Sequence, residues 1–341
     1  MVFICFVENI SIKFIFPFLK KVIMDFGKEI KKLIEINKKK LGIKEDIKTI
    51  SISKLGVGEN NYNFLAIINN KLRLVFRIPY QKNSEKNIKF EHEELKKIPK
   101  GLGPKPIFFD DSKKIIPKLY SVQSFVEGKH LKRLNKKRLT QIAKKLALLH
   151  KDKKDYCKIY GEKRNFLDIH EYLIREINNY SKHKSLFNKE INIILENENE
   201  YFKSKKEIFL KMKNFPRVHV DPCLTNLLFT KDDVNFIDWE WATYRDNAED
   251  LAVLIDTKFS QPPWKIRLNG KRLDFFISEY QKYNSDENLK ERVLIWVKLN
   301  RVRDLLFFKW KLSNYDKEIN SLPREIYKKG YDNLFNFYSK K

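Results

Sequence analysis

The chain is short of the residues that define several protein classes. Cysteine occurs three times in 341 residues, as Cys5, Cys157 and Cys223, and no two of these stand at metal-ligand spacing. So few and so scattered, they exclude a disulfide framework and fit reduced thiols in the cytoplasm. None of the six histidines lies at zinc-ligand spacing from another. With 10 glycines and 11 prolines there is no Pro/Gly-rich linker to part independent domains, and no internal repeat is evident. Long hydrophobic runs are missing as well. The most apolar stretch, residues 1–23, is interrupted by Glu8, Asn9 and Lys13, well short of the ~20 continuous apolar residues a membrane span needs. It also lacks the leading positive charge and small-residue cleavage site of a secretory signal. It reads as an apolar extension, either upstream of the true start or a loosely attached surface helix. Negative charge is scarce too: 70 Lys and Arg face 44 Asp and Glu, a net charge of +26. The excess is spread along the whole chain beside abundant Ile and Asn, a general bias in residue usage. No basic helix, zinc finger or aromatic RNA-binding signature accompanies it, so nucleic acid is not the expected partner.

What is present is ample apolar material, 42% of residues, enough for packed cores. Met24 opens an amphipathic pattern, DFGKEIKKLIEINKKKLG. A strand-rich block follows: IKTISISKL, the glycine turn GVGENN, YNFLAII, an Asn69-Asn70 turn and KLRLVFRI. Two β-rich runs joined by a short Asn-containing turn predict a hairpin. NIKFEHEELKKI has helical periodicity and stops at Pro99 and Gly101. Two further strands are expected, PKPIFFD and IIPKLYSVQSFVEG, around the polar turn DDSKK. From about residue 130 helices dominate. Leu139, Ile142, Leu146 and Leu149 form one helical stripe. A charged helix is expected over residues 168–206 and three aromatic-rich helices after Gly270. A short island of strand, RVHVD, NLLFT and VNFIDW, interrupts them. The pattern is α+β: a small β-rich lobe with an antiparallel sheet, then a larger, mainly helical lobe.

The chemistry concentrates in that island. His219-Val220-Asp221-Pro222-Cys223-Leu224-Thr225-Asn226 is followed by Ile237-Asp238-Trp239-Glu240. Phosphoryl transfer asks for an in-line hydroxyl, a group to take its proton and Mg²⁺ on the phosphates. An Asp in a short loop, an Asn five residues on and a second Asp after the next hairpin supply those parts. Asp221 would orient and deprotonate the acceptor, while Asn226 and Asp238 would offer hard oxygen ligands to Mg²⁺. A lone H-x-D is common, and the bland alternative is an ordinary loop whose polar residues cap turns. The full spacing in a strand context favours the kinase.

These segments resemble the catalytic and metal segments of the aminoglycoside phosphotransferase and choline kinase superfamily, relatives of the protein kinases. In that family the loop is H-G-D or H-N-D, so Val220 departs from the pattern. The resemblance covers nearly all the chain from Met24. It implies a bilobal protein-kinase-like fold: a nucleotide-binding lobe over 24–122, then 123–341 with the catalytic loop, metal segment and acceptor helices. It places Gly56, Gly58 and Asn60 in a turn over the nucleotide, and Arg77 on its phosphates. It makes Glu91 the acid that braces Arg77, although Glu93 and Glu94 stand close enough to compete. Gln123 and Phe125 fall in the hinge where adenine would bond to backbone groups. His219 and Asp250 support the catalytic loop, and His150 has a structural role. The implied activity is ATP- and Mg²⁺-dependent phosphorylation of a small-molecule hydroxyl in the cytoplasm. Glu240, with Trp239, Trp241, Tyr244, Trp264, Trp296 and Trp310, would surround an amine-bearing acceptor, an amino alcohol or amino sugar, though most of these tryptophans are expected in the core. The rivals are an atypical protein kinase and a non-catalytic nucleotide- or RNA-binding module. IDWE in place of D-F-G and the lack of A-P-E count against the first; intact Asp221 and Asp238 count against the second.

Overall fold

The computed structural model describes residues 16–57, 60–80, 84–131, 133–155, 188–210, 212, 214–255, 268–317 and 322–340. The chain divides into two compact units. The first runs through Lys129 and takes back two later segments, Leu228–Thr230 and Asn235–Trp241. It begins with helix α1 (Phe16–Ile36), followed by strands β1 (Ile50–Val57), β2 (Asn61–Ile68) and β3 (Leu72–Pro79). Helix α2 (Ser84–Leu95) and strands β4 (Pro106–Asp110) and β5 (Tyr120–Ser124) complete it. The five strands form one antiparallel sheet in the order β1-β2-β3-β5-β4. Alternation along the strands puts Phe64, Ala66 and Ile68 of β2 and Leu74, Phe76 and Ile78 of β3 into one core. Ile30, Leu33 and Ile34 of α1, spaced for one helical face, fill the same core. Each of these side chains other than Ala66 contributes roughly 1.5–3 kcal/mol by burial.

Two expectations need correction here. Helix α1 is already formed at Phe16, ahead of Met24. The expected strand from Ile115 shortens to β5, which begins only at Tyr120; Pro117 cannot donate to a ladder. The β2–β3 connection follows its sequence: Asn69 and Asn70 both take left-handed backbone, φ 52° and 55°, which Asn tolerates best among non-glycine residues. The return of the later segments is held by backbone pairing. Lys129 and Phe229 exchange hydrogen bonds of 2.9 and 3.0 Å, and Phe236 N donates to Leu102 O at 2.7 Å. Gly128 permits the close approach, since at φ 147° a Cβ there would meet the Leu228 carbonyl carbon at 2.8 Å.

The second unit contains helix α3 (Lys136–Leu149), capped by the Asn135 side chain, and strand β6 (Lys153–Asp155). Helices α4 (Lys189–Ser204) and α5 (Glu207–Leu210) lead to strand β7 (Asn214–Val218). The hairpin β8 (Leu227–Phe229) and β9 (Val234–Phe236), whose residues are shared between the units, precedes β10 (Thr243–Tyr244). Helices α6 (Asn247–Val253), α7 (Lys271–Gln281), α8 (Leu289–Ser313) and α9 (Arg324–Ser339) follow. The Leu139, Ile142, Leu146 and Leu149 stripe of α3 is buried. Of the expected helix over 168–206, α4 is its described part; residues 168–187 lie outside the described residues. Strand β6, Lys-Lys-Asp and fully exposed, has no apolar alternation to announce it and exists by backbone pairing with β7. Among the described residues no helix is long and apolar enough to cross a membrane.

Candidate functional site

Register builds the first unit's polar centre. Across the sheet Gly56 pairs with Asn63, Asn63 with Arg77, and Arg77 with Ser121. A strand period of two turns this row away from the core face of Phe76 and Ile78. Arg77 is 5% exposed and forms ion pairs with two acids. Its Nε lies 2.8 Å from Glu91 Oε2, and its Nη2 donates to Asp238 Oδ1 at 2.6 Å. Burial works against the Arg77 charge, but Glu91, Asp238 and Glu240 outweigh it and its pKa rises. Glu91 Oε1 accepts the backbone N–H of Trp239 at 3.1 Å, so one side chain of α2 holds both the basic residue and the segment after Asp238. Burial pushes the Glu91 carboxyl up, against the pull of Arg77. Asp238 itself sits at φ 68°, a conformation that Asp accepts more readily than most residues. Glu240, 3% exposed, accepts from Asn60 Nδ2 at 2.9 Å. Burial and then the nearby Asp238 raise its pKa to about 8.

The second unit builds a loop on Asp250. Strand β7 ends at Val218, and the next two backbone N–H groups, of His219 and Val220, donate to Asp250 Oδ2 and Oδ1 at 2.8 and 2.7 Å. His150 Nε2 lies 3.0 Å from the same carboxylate, and its Nδ1 is 2.8 Å from the Tyr280 hydroxyl. Asp250 is fully buried, and these donors satisfy both of its carboxyl oxygens. Val220 takes φ 75°. That left-handed backbone explains why a glycine or asparagine suits the position and why a β-branched side chain costs roughly 1–2 kcal/mol. Asp221 follows, 7% exposed. Asn226, closing a short 3₁₀ turn, donates to the Asp221 carbonyl at 2.9 Å and to its Oδ2 at 3.1 Å.

Each unit carries a buried hard oxygen left over. Asp238 Oδ2 in the first and Asn226 Oδ1 in the second have no hydrogen-bond partner. Uncompensated oxygens of this kind are what Mg²⁺ takes. Among the described residues no three His, Cys, Asp or Glu side chains converge on one point. Mg²⁺ needs no such cage, because waters and substrate phosphates complete its shell.

The expected residues thus fall into two groups. Asn60, Arg77, Glu91, Asp238 and Glu240 meet in the first unit; His219, Asp221, Asn226 and Asp250 meet in the second. Of the three competing acids, Glu91 faces Arg77, whereas Glu93 and Glu94 pair with Lys96 and Lys97. Gln123 is buried on β5 across from Val75, and Phe125 lies under the Arg73 guanidinium at 4.7 Å. Gly58 and Trp264 lie outside the described residues. Trp239 and Trp296 are core, the latter donating to Asp246 at 2.8 Å, while Trp241 stays 43% exposed. Tyr244 is engaged by Asp152 and Arg217, and Trp310 is half-buried beside Lys311. Asn63 and Ser121 were missed, although both flank Arg77 and both keep a buried polar atom without a partner. Counting outwards from a two-residue Asn69-Asn70 turn would have put Asn63 opposite Phe76; the loop also takes in Lys71, which shifts the pairing to Arg77.

A family model described as the phosphotransferase enzyme family matches residues 51–285. Among curated proteins the chain is similar to a protein LicA homolog of Metamycoplasma hominis, 32% identical over 143 residues, 42% of this chain and 48% of that protein. The chain spans about half the length of the curated relatives it matches. Among solved structures it is similar to choline kinase from Cryptosporidium parvum, at 18% identity and TM-score 0.59, over 91% of this chain and 94% of that one. The streptomycin–ATP–APH(2″)-IIa ternary complex superposes at 15% identity and TM-score 0.57, over 97% of each chain. These likenesses establish the fold: an antiparallel-sheet N-terminal part and a helical C-terminal part of the kinase-like kind.

Proposed function

The chain belongs to the phosphotransferase enzyme family, and from that premise we propose that it transfers the γ-phosphate of ATP to a hydroxyl of a small molecule. The observation that carries the reading is the buried Glu91–Arg77–Asp238 array. A guanidinium fixed between two acids is a rigid fork for phosphate oxygens. The second of those acids keeps a free oxygen for a metal. Asp238 and Asn226 would be the residues that hold Mg²⁺, which when bound supplies countercharge to the phosphates. Asp221 orients the acceptor hydroxyl and takes its proton as the bond to phosphorus forms. Asn226 holds Asp221 through its carboxylate and its backbone carbonyl, so the base does not have to be ordered at the moment of reaction. Asp250 fixes the preceding loop by two backbone bonds. Gly56, near the end of β1, and Asn60, directly before β2, would flank the turn over the nucleotide, with Gln123 and Phe125 as the adenine hinge.

For the acceptor we favour an amine-bearing alcohol or amino sugar. Similar solved proteins are named as a choline kinase, an ethanolamine kinase and a streptomycin–ATP ternary complex. Exposed Trp241 offers an aromatic face, and a cation over such a face gains ~0.5–2 kcal/mol. The enzyme would work in the cytoplasm, where ATP is supplied and its few thiols stay reduced. A screen of ADP release against choline, ethanolamine, aminoglycosides, sugars and nucleosides tests both levels. Turnover with an amine-bearing alcohol supports the whole reading. Turnover confined to neutral or anionic acceptors defeats the acceptor class, and no turnover with any hydroxyl defeats the kinase.

A further inference from the structure

Glu240 has a partner that phosphoryl transfer does not account for. Its Oε1 accepts a hydrogen bond from Asn60 Nδ2 at 2.9 Å, across 180 residues of chain. Asn60 stands directly before β2, and its own carbonyl accepts the backbone N–H of Tyr80 at 3.1 Å. Tyr80 follows the end of β3, the strand that carries Arg77. Asn60 is therefore gripped twice, by its carbonyl from β3 and by its amide from the segment that carries Asp238. The Glu240 carboxylate is 3% exposed and its Oε2 has no hydrogen-bond partner. A side chain buried and engaged in this way presents little surface to an acceptor.

We infer that Glu240 is a positioning residue for the nucleotide: by holding the Asn60 amide it fixes the start of β2 relative to Asp238 and Arg77. This assigns Glu240 to the nucleotide and not to the acceptor, and it rests on the ATP-dependent reading above. The physical reason is preorganisation. Phosphate oxygens bind best to donors already in place, and ordering them at binding costs affinity. A partly buried hydrogen bond of this kind sustains up to about a tenfold difference in an equilibrium. Charge is not what Asn60 needs, because the amide oxygen of a glutamine accepts the same bond.

The test is calorimetric binding of Mg·ATP to the full chain without acceptor, followed by KM and kcat once an acceptor is found. Asn60→Ala and Glu240→Ala should each weaken ATP about tenfold, and the double variant should be no weaker than either single one, as for two partners in one interaction. Glu240→Gln should recover most of the lost affinity. In turnover, Glu240→Ala should raise KM for ATP and leave KM for the acceptor in place. ATP binding by Glu240→Ala at the wild-type level overturns the inference and leaves the kinase standing. So does a Glu240→Gln loss as large as that of Glu240→Ala, which would mean that the charge itself matters. Additive losses in the double variant also overturn it, since the two side chains would then act separately. If the wild type fails to bind Mg·ATP at all, the kinase reading falls and this inference falls with it.

Discussion

Around Arg77 three carboxylates gather on a single guanidinium, two of them with an oxygen that nothing in the protein satisfies. Beneath the loop of Asp221, by contrast, the Asp250 carboxylate takes two backbone N–H groups and faces a histidine that leans on Tyr280. The first arrangement is electrostatically unfinished. It keeps an excess of negative charge under burial, the condition in which a divalent cation or a bound cationic group gains most. The second is closed: its acid serves the backbone and is spent on geometry. One region is therefore built to receive charge, and the other to hold one side chain, Asp221, in place.

The sharpest way to break that comparison is Asp221→Asn. Asn cannot take a proton, so turnover should fall by ~10²–10⁴, while Mg·ATP affinity stays near wild type. Comparable turnover in the variant, with an acceptor verified in the wild type, would remove Asp221 from the chemistry. Next in size is Asp238→Ala. It deletes the acid with the free oxygen, so ATP should bind equally well with and without Mg²⁺. A wild-type Mg²⁺ effect in titration calorimetry would show that the ion is held elsewhere and that the excess charge serves another purpose.

Much of this was legible beforehand because motif spacing and strand periodicity are local properties. The hairpin, the α3 stripe and the catalytic and metal segments follow from residues within a few positions of one another. The choice among Glu91, Glu93 and Glu94 was not legible, since a helical repeat puts all three within a turn and only the docking of α2 selects one. Strands β6 and β10 carry no hydrophobic pattern and owe their existence to β7. The Asn60–Glu240 bond joins residues far apart in sequence, and nothing in either neighbourhood announces it.

Glu249 sharpens the contrast from inside the second unit. It neighbours Asp250 but is not compensated in the same way. Arg245 Nε lies 3.3 Å away and Arg303 Nη1 4.0 Å, yet neither carboxylate oxygen has a hydrogen bond. Burial pushes its pKa from 4.5 to about 7, despite the two arginines. The folded state thus binds this proton more tightly than the unfolded chain. The resulting stabilisation is complete below the unfolded value of 4.5 and is lost as pH rises through about 7. Thermal melts of wild type should lose ~1–3 kcal/mol over that window from this group. Glu249→Gln, which has no proton to lose, should show a flatter profile. Parallel profiles would mean that Glu249 is already ionised across the window and is as well compensated as Asp250.

The smallest effect tests whether the closed region is strained where it holds Asp221. Val220 sits at φ 75° with its N–H donated to Asp250 at 2.7 Å. A β-branched residue there costs ~1–2 kcal/mol, set against the partial burial of an isopropyl group that contributes less than the ~1.5 kcal/mol of a fully buried one. Asparagine tolerates the same backbone, and glycine does too but enlarges the conformational freedom of the unfolded chain by ~0.5–1 kcal/mol. Val220→Asn should therefore stabilise the protein by about 0.5–1 kcal/mol, a rise of ~1–3 °C in Tm, and Val220→Gly should change it less. The two variants share the loss of the isopropyl group and differ in the freedom of the unfolded chain, so their order matters as much as the sign. If both lower the melting temperature by similar amounts, the isopropyl contacts outweigh the backbone strain, and the loop before Asp221 is held by packing as well as by the Asp250 carboxylate.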